Sequence, residues 1–352
     1  MLREIGTEAI EIPVYLADSI LVERRQTLTG ATYILKTAVG EFSVPTSVVE
    51  KGLLAKALTV IEECVRGNYR SNEFKARLSR EVSLEENETH IITELFETLS
   101  ILEREGKNRI WTRVLKNSFA PFFAGKFDYV IGNPPWINWE NLPEDYRERT
   151  KPVWERYHLI ARRRGKPSLG KVKRDLAMLF TYSCIDRYLT EGGGFGFLIT
   201  QTVFKSMAGE GFRNFWIHPE GLPFKVTKVH DLVELLPFEG AQNRTGAIFC
   251  VKGEETSYPV LYALWKGPSV NQEHNLEEVL KITSRIILEA RPLVRRTGPW
   301  STLSPNAHKA IHKVVGGSTY RAYEGVNTAF NAAYWIRILD VLPDGNFLVE
   351  NV

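Results

Sequence analysis

The chain has 352 residues, 43% of them hydrophobic and 25% charged, so it can bury one large core and begin a second domain. It has no apolar run of the about 18 residues that a membrane-spanning helix needs, and its N-terminus shows no signal-peptide pattern. The cysteines Cys64, Cys184 and Cys250 are widely spaced, without a Cys-x-x-Cys pattern or a nearby His. We therefore expect buried, reduced thiols, a cytoplasmic protein and no metal site.

The first third of the chain predicts one strand end, one hairpin and two long helices. Residues 10–20 read as the end of a strand, and residues 31–44 alternate enough to indicate a hairpin. Residues 48–65 and 89–116 repeat apolar side chains at intervals of three and four, as amphipathic helices do. We interpret the stretch at about 48–118 as a largely helical insertion without chemistry of its own.

The most informative segment is Phe127 to Trp136, which reads FDYVIGNPPW. The apolar run is typical of a buried parallel strand, and ligands bind beyond the carboxyl ends of such strands. An exocyclic amine is a poor nucleophile because its lone pair is delocalised. The Asn133 side-chain oxygen and the Pro134 carbonyl can each accept one of its N–H groups, while two prolines hold the segment rigid and an aromatic ring can stack on the base. The alternative is an ordinary tight turn that closes a strand.

The remaining elements of the central region follow in order. A helical pattern covers residues 175–189, and the glycine cluster at 192–196 predicts a turn rather than a phosphate-cradling loop, because it precedes its strand. Three further apolar segments predict strands at residues 195–200, 228–236 and 246–251, the last of them antiparallel to its neighbour. Together these elements predict an α/β fold.

These motifs, in this order, resemble the AdoMet-dependent N6-adenine DNA methyltransferases of restriction-modification and phage-defence systems. The resemblance covers about residues 10 to 255 and implies a partial Rossmann-like sheet with S-adenosylmethionine as cofactor. It implies that the catalytic loop is formed by Asn133, Pro134, Pro135 and Trp136.

The same resemblance assigns roles to residues outside the catalytic loop. Asp18 would accept from the adenine amine of AdoMet, and Phe180 would lie on the cofactor side. Trp136 and Phe238 would stack on a flipped adenine, and we expect Phe238 to be exposed in a turn. Simpler roles remain open: Asp18 can be a helix N-cap, and Phe180 can belong to the apolar face of its helix.

The chain departs from the family pattern at its beginning. No glycine-rich loop follows a first strand, and only about a dozen residues precede Asp18, whereas a strand-helix-strand unit needs about 30. We therefore expect that the front of the domain belongs to a longer protein or is supplied by a complementing N-terminal polypeptide.

A basic stretch follows the catalytic loop. Between Arg147 and Arg174 there are 11 Lys and Arg residues against two Glu, a local charge of +9 in a chain of net charge +3. Such a run is either a solvated loop or a contact for the backbone of double-stranded DNA. We select as candidate DNA contacts Arg162, Arg163, Arg164, Lys166, Lys171, Lys173 and Arg174.

From about residue 290 the composition shifts to Arg, Pro, Gly and Ser, which indicates a domain crossing. A short helix is predicted at residues 306–315, and the segment after Tyr320 resembles the opening of a target-recognition domain. We therefore divide the chain into a catalytic domain, 1–290, and the start of a recognition domain, 291–352. The alternative is an extension that folds back on the sheet.

Three functions remain open from the sequence. The first is N6-adenine DNA methylation, by an enzyme that is incomplete without its partner. The second is methylation of a protein glutamine or a ribosomal RNA guanine, because those enzymes share the Asn-Pro-Pro-aromatic loop. The third is a non-catalytic DNA-binding subunit or a remnant. The long insertion and the basic stretch favour DNA.

Overall fold

The computed structural model describes residues 18, 20, 22–27, 30–37, 39–106, 110–123, 125–160, 162–163, 166–167, 174–217, 221–238, 244–271, 273–313, 315 and 336–351. It divides into two compact units, residues 1–307 and 308–352. None of the helices in the described ranges is both long enough and apolar enough to cross a membrane.

The N-terminal part of the first unit builds its own small core. Three antiparallel strands form a meander and are followed by five helices: β1 (Val22–Thr27), β2 (Gly30–Thr37), β3 (Gly40–Pro45), α1 (Thr46–Glu50), α2 (Leu54–Arg66), α3 (Ser71–Glu81), α4 (Glu86–Arg104) and α5 (Trp111–Phe123). The Phe74 and Phe96 rings stack at 4.1 Å between α3 and α4. Val44, Leu58 and Phe119 are fully buried in the same cluster.

This region confirms the predicted hairpin and corrects the predicted insertion. The sequence indicated two helices, but the described residues form five, with a sheet of three strands before them. The helix α3 was not predicted, because only Phe74 and Leu78 are buried along its length. Two buried positions give too little periodicity to recognise a helix.

The larger part of the first unit is one mixed sheet with helices. In chain order its elements are β4 (Phe127–Gly132), α6 (Glu144–Arg156), β5 (Arg162–Arg163), β6 (Lys166–Pro167), α7 (Leu176–Tyr188), β7 (Leu189–Thr200), α8 (Thr202–Lys205), β8 (Phe224–Asp231), β9 (Thr245–Lys252), β10 (Val260–Lys266), α9 (Leu276–Ile282), β11 (Ser284–Pro292) and β12 (Trp300–Leu303). The helix α10 (Pro305–Ala310) follows, as the sequence predicted. Short 3-10 turns lie at residues 139–141, 207–209, 212–214 and 311–313.

Seven strands pair in the order β12-β11-β10-β8-β9-β7-β4. The pairs β4 with β7 and β8 with β10 are parallel, whereas β9 runs antiparallel to both of its neighbours. The predicted antiparallel strand at 246–251 is therefore confirmed. The sheet is mixed, and with its helices it forms the α/β architecture that the sequence predicted.

The helix α7 and the strand β7 organise the main core. The Asp175 side chain caps α7, and most side chains of the helix are buried, including Tyr182 and Ile185. Phe195 and Phe197 on β7 and Ile248 on β9 are also buried in this core. The predicted glycine turn is a distortion inside β7, where Gly192 has φ +76° and the pairing with β4 shifts register.

Two expectations about the sheet need correction. The strand β4 was expected to be buried, but Phe127, Tyr129 and Ile131 are exposed because β4 is an edge strand in the described sheet. The strand β8 ends at Asp231 rather than at residue 236, because residues 233–235 turn away from the sheet.

The boundary between the two units differs from the one expected. Strands β11 and β12 continue the sheet to Leu303, so the described first unit runs past residue 290. In the second unit, β13 (Ile336–Val341) and β14 (Phe347–Asn351) form an antiparallel hairpin, and Gly345 in its turn has φ +85°. The segment that resembles a recognition domain lies mostly outside the described residues.

Candidate active site

The Asn-Pro-Pro-Trp loop begins where β4 ends, at the carboxyl edge of the parallel pair β4 and β7. Asn133 and Pro135 are exposed, and Pro134 between them is buried. Within the described part of the chain the Asn133 side chain makes no hydrogen bond, so its amide oxygen is free to accept from a ligand. The Trp136 indole N–H donates to the Leu198 carbonyl at 3.2 Å, which fixes this ring against the end of β7.

Backbone hydrogen bonds tie the loop to the start of α7. Trp139 N–H donates to the Arg174 carbonyl at 2.8 Å, and Leu176 N–H donates to the Ile137 carbonyl at 2.9 Å. These two bonds surround a bridge between residues 138 and 175. The loop is therefore held at both ends, by β4 before it and by α7 after it. Such a fixed loop can hold acceptors in place without reorganisation.

The sequence did not single out Asp175 as part of this site. Its carboxylate accepts the Ala177 N–H at 2.9 Å and the Thr200 hydroxyl at 2.9 Å, so it joins α7 to the carboxyl end of β7. Burial raises the pKa of the Asp175 carboxyl above its ordinary value, although both hydrogen bonds act in the opposite direction. An Asp immediately before an apolar helical run was the available signal, because it is typical of an N-cap.

Two aromatic residues that the sequence assigned to base stacking lie together. The Trp136 and Phe238 rings meet edge to face, with centroids 5.3 Å apart and planes at 84°. This contact explains why Phe238 is half-buried rather than exposed in its turn. The two rings leave no room for a flat base between them in this arrangement. A base would have to bind beside the pair or displace Phe238.

Asp18 lies close to the segment that follows the loop. Its Oδ2 accepts the Tyr146 hydroxyl at 2.8 Å, and its Oδ1 accepts the Ile20 N–H at 2.9 Å. Burial, followed by the charge of Asp18, raises the pKa of Tyr146 well above its ordinary value. The bond to Ile20 is a local turn contact, and the bond to Tyr146 connects Asp18 to α6. Both carboxylate oxygens retain lone pairs for a further donor.

Comparison with known proteins identifies the family of the chain. Residues 30–222, more than half of the chain, match the family model described as Eco57I restriction-modification methylase. The chain belongs to this family. The match includes β4, the Asn-Pro-Pro-Trp loop, α7 and β7, which are the elements that build the site.

Three curated proteins are similar to parts of the chain. Modification methylase CviBIII of Paramecium bursaria Chlorella virus NC1A is 26% identical over 121 residues, 34% of this chain and 27% of that protein. Type II methyltransferase M.BstVI of Geobacillus stearothermophilus is 25% identical over 146 residues, 40% of this chain and 22% of that protein. Release factor glutamine methyltransferase of Aquifex aeolicus (strain VF5) is 40% identical over 57 residues, 13% of this chain and 20% of that protein. The chain spans about a quarter of the length of these relatives or less.

The other predicted cofactor residue of this Eco57I-family chain is Phe180. It lies on α7, is half-buried and packs against the main core cluster. Partial burial is compatible with a core role and with a remaining ligand face. The cofactor role of Phe180 therefore stays a prediction.

The basic stretch divides into parts of different character. Arg162, Arg163 and Lys166 lie on the two-residue strands β5 and β6, while Arg164, Lys171 and Lys173 fall outside the described residues. Arg174 differs from the expectation, because it is only 2% exposed and burial lowers the pKa of its guanidinium. A buried side chain cannot reach a DNA phosphate, so we remove Arg174 from the candidate contacts.

Two aromatic residues within the basic stretch belong to the core. Trp154 and Tyr157 are fully buried, and the Tyr157 hydroxyl donates to Asp186 at 2.9 Å. The Tyr157 hydrogen bond to Asp186 joins the end of α6 to α7. The expected burial of the thiols is confirmed, because Cys64, Cys184 and Cys250 are free and buried, and burial raises the pKa of Cys184 to about 12.

Proposed function

We propose that this chain is the catalytic part of a DNA methyltransferase that transfers a methyl group from AdoMet to N6 of a flipped adenine, in a restriction-modification or defence system. The carrying observation is the Asn133 side chain at the carboxyl end of β4, which makes no hydrogen bond to any described residue and belongs to the loop whose Trp136 ring contacts Phe238. Membership in the Eco57I restriction-modification methylase family supports this reaction class.

The chain's residues would act by orientation and hydrogen bonding. The Asn133 amide oxygen and the Pro134 carbonyl would accept the two N–H groups of the target amine, which localises its lone pair toward the donor. When bound, AdoMet supplies a methyl group on a sulfonium centre, which is its own leaving group. The aromatic surface of Trp136, extended by Phe238, would hold the flipped base. No covalent nucleophile is required.

The described residues fit only part of the cofactor. Asp18 offers carboxylate oxygens for the amine of the adenine ring, and Phe180 offers an apolar surface. Among the described residues, no glycine-rich loop follows a parallel strand and opens a helix, so no cradle for the methionine carboxylate is present there. The methionine end would be held outside the described residues, by another part of a longer protein or by a complementing polypeptide.

DNA contacts would come from the basic stretch on β5, β6 and the residues between them and α7. The cations Arg162, Arg163 and Lys166 follow the catalytic loop by about 30 residues along the chain. Phosphate contacts of this kind supply affinity without choice of sequence. Their contribution would weaken steeply with added salt, because each neutralised phosphate releases counterions.

The test is methyl transfer by the complete enzyme, from tritiated AdoMet to mixed-sequence DNA, with nucleoside analysis of the product. Asn133→Ala should lower turnover by at least about 100-fold with DNA affinity unchanged, as removal of one preorganised hydrogen-bonding group does elsewhere. Asn133→Asp keeps an acceptor at this position and should retain far more activity. Near-normal methylation by Asn133→Ala would refute the assigned role.

A second candidate is methylation of a protein glutamine. The observation in its favour is the 40% identity to the release factor glutamine methyltransferase over 57 residues. The same radiolabel experiment separates the two, when protein and DNA acceptors compete in one reaction. Label found in protein and not in N6-methyladenine would reject the DNA reaction.

A further inference from the structure

Trp136 and Phe238 are both connected to one short segment at the carboxyl end of β7. The Trp136 indole N–H donates to the Leu198 carbonyl at 3.2 Å. Further along the same segment, the Gln201 side chain reaches the start of the loop that carries Phe238. Its Nε2 donates to Asp231 Oδ2 at 3.0 Å. The end of β7 is therefore a common reference point for the two aromatic rings.

Asp231 is the last residue of β8, and it is only 4% exposed. Its Oδ2 accepts the Gln201 amide at 3.0 Å and the Tyr262 hydroxyl at 2.5 Å. Its Oδ1 accepts the Val233 N–H at 3.1 Å, which closes the turn that follows the strand. The carboxylate therefore joins the end of β7 and the strand β10 to the first turn of the loop that carries Phe238.

A buried carboxylate is a costly way to close a turn. The turn itself needs only the bond to Val233, and a neutral Asn or Ser side chain forms the same kind of turn without a charge. The bonds to Gln201 and Tyr262 additionally fix the turn relative to the sheet. The Lys205 ammonium, 5.0 Å from the Tyr262 ring centroid, places a positive charge in the same cluster. Burial lowers the pKa of Lys205 to about 8, and the charge of Asp231 acts in the opposite direction.

Few residues separate this fixed turn from Phe238. Leu235 is buried, and its carbonyl accepts the Val270 N–H at 2.8 Å. Leu236 then has φ +43°, a left-handed backbone conformation that a bulky residue keeps only where its surroundings hold it. The ring of Pro237 restricts the next φ angle. The position of Phe238 relative to the sheet therefore depends on the turn that Asp231 fixes.

The other limb of the loop returns to the same cluster. The Arg244 carbonyl accepts the Gln201 N–H at 2.7 Å, and the Thr245 carbonyl accepts the Leu232 N–H at 3.0 Å. Gln201 thus contacts one limb through its backbone and the other through its side chain. Its Oε1 is buried and accepts no hydrogen bond within the described part of the chain. The Gln201 amide can therefore turn over and accept a hydrogen bond if position 231 carries a donor.

We propose that Asp231, held by Gln201 and Tyr262, is a positioning residue that keeps the Phe238 ring against Trp136 before a base arrives. It acts through Phe238 and not on the base itself. An aromatic surface that is already formed spares the flipped base the free-energy cost of ordering the loop, so Asp231 raises kcat/KM of methyl transfer. This consequence rests on the proposed function, whereas the position of the ring does not.

The first measurement is fluorine NMR of the full chain with 4-fluorophenylalanine in place of Phe238. The same label in Trp136→Leu gives the reference resonance for a lost ring contact. Asp231→Ala should move the resonance at least halfway toward this reference. Tyr262→Phe removes a single hydroxyl from the cluster and should move the resonance in the same direction. Where Asp231→Ala does not fold, Tyr262→Phe takes its place in both measurements.

Two matched controls should leave the resonance in place. In Asp231→Asn the amide oxygen can still accept the Val233 N–H, and its NH2 group can donate to the Tyr262 oxygen and to the free Oε1 of Gln201. Thr227→Val removes a different hydrogen bond of β8, at an exposed position. A resonance that neither Asp231→Ala nor Tyr262→Phe moves overturns the proposal, as does an equal shift in Asp231→Ala and Asp231→Asn.

The second measurement is a double-mutant cycle on methyl transfer by the complete enzyme to mixed-sequence DNA. Asp231→Ala should lower kcat/KM by about fivefold or more in the parent, but by less than about twofold in Phe238→Ala, because residues that act through one another are not additive. Equal losses in the two backgrounds would mean that Asp231 contributes only stability, and a gain in the parent would mean that Phe238 must move aside. Either result overturns the positioning role. A parent enzyme without methyl transfer refutes the proposed function instead, and the fluorine resonance still decides the position of the ring.

Discussion

Replacing Asp175 with Ala should destabilise the first unit by about 2 kcal/mol. The substitution removes the N-cap of α7, which typically costs about 1 kcal/mol. It also deprives the Thr200 hydroxyl of its acceptor, and Thr200 is only 5% exposed, so an unpaired buried group adds about 1–3 kcal/mol. Two effects reduce the total: the Thr202 hydroxyl lies 3.2 Å from that of Thr200, and a desolvated carboxyl is removed. About 2 kcal/mol corresponds to about a 30-fold change in the unfolding equilibrium.

The measurement is urea unfolding followed by tryptophan fluorescence, with Asp175→Asn as the matched control. Asn keeps an oxygen that can accept the Ala177 N–H, so Asp175→Asn should lower the free energy of unfolding by less than about 1 kcal/mol. Thr200→Val, alone and combined with Asp175→Ala, should reveal a coupling energy of about 1 kcal/mol. The connecting role of Asp175 would be refuted if the free energies of unfolding of Asp175→Ala and the parent differ by less than about 0.5 kcal/mol, which is the usual uncertainty of ΔΔG additivity.

Three further predictions concern stability. Burial raises the folded-state pKa of the Asp175 carboxyl. Its contribution to the free energy of unfolding is therefore full below the unfolded pKa of about 3.9 and is lost as pH rises through the folded pKa. The stability of the parent relative to Asp175→Asn should fall as pH rises over this window, and a difference that does not change with pH would contradict the prediction. Lys252 is 4% exposed, and its ammonium donates to three backbone carbonyls at 2.7–2.9 Å. Lys252→Met should therefore lower the free energy of unfolding in urea by about 3 kcal/mol. The control Lys266→Met removes a solvent-accessible ion pair and should lower it by less than about 1 kcal/mol. A Cβ on Gly209 would lie 2.0 Å from a backbone carbonyl oxygen, whereas one on Gly246 meets its nearest atom at 3.4 Å. Thermal unfolding should show a far larger loss for Gly209→Ala than for Gly246→Ala, and equal losses would contradict the packing.

The local elements near the site could be predicted from the sequence. The strand before Asn133, the helix after Asp175 and the antiparallel strand at 246–251 were all identified, because each has a clear apolar pattern and a cap or turn at its end. The exposure of β4 could not be predicted in this way. A continuous apolar run indicates a strand that is suited to burial, but only its neighbours in the sheet determine whether it is covered.

The basic stretch shows that the exposure of charged side chains could not be predicted from the sequence either. The sequence counted Arg174 among the candidate DNA contacts, and the structure buries its side chain. A count of charges describes a segment as a whole. Which of its side chains face the core depends on how α6 and the residues before α7 pack on the sheet, and this packing is not visible in composition.

The sequence by itself determined which chemical groups are available: a rigid Asn-Pro-Pro-Trp loop after a strand, and candidate partners in a fixed order along the chain. Only the tertiary structure decided which of them meet. Trp136 contacts Phe238, Asp175 accepts from Thr200, and Asp18 accepts from Tyr146 across 128 positions. Local patterns arise from neighbours within one turn or one strand pair, whereas these contacts depend on how distant elements pack together. That packing brings Phe238 into contact with Trp136 of the candidate catalytic loop.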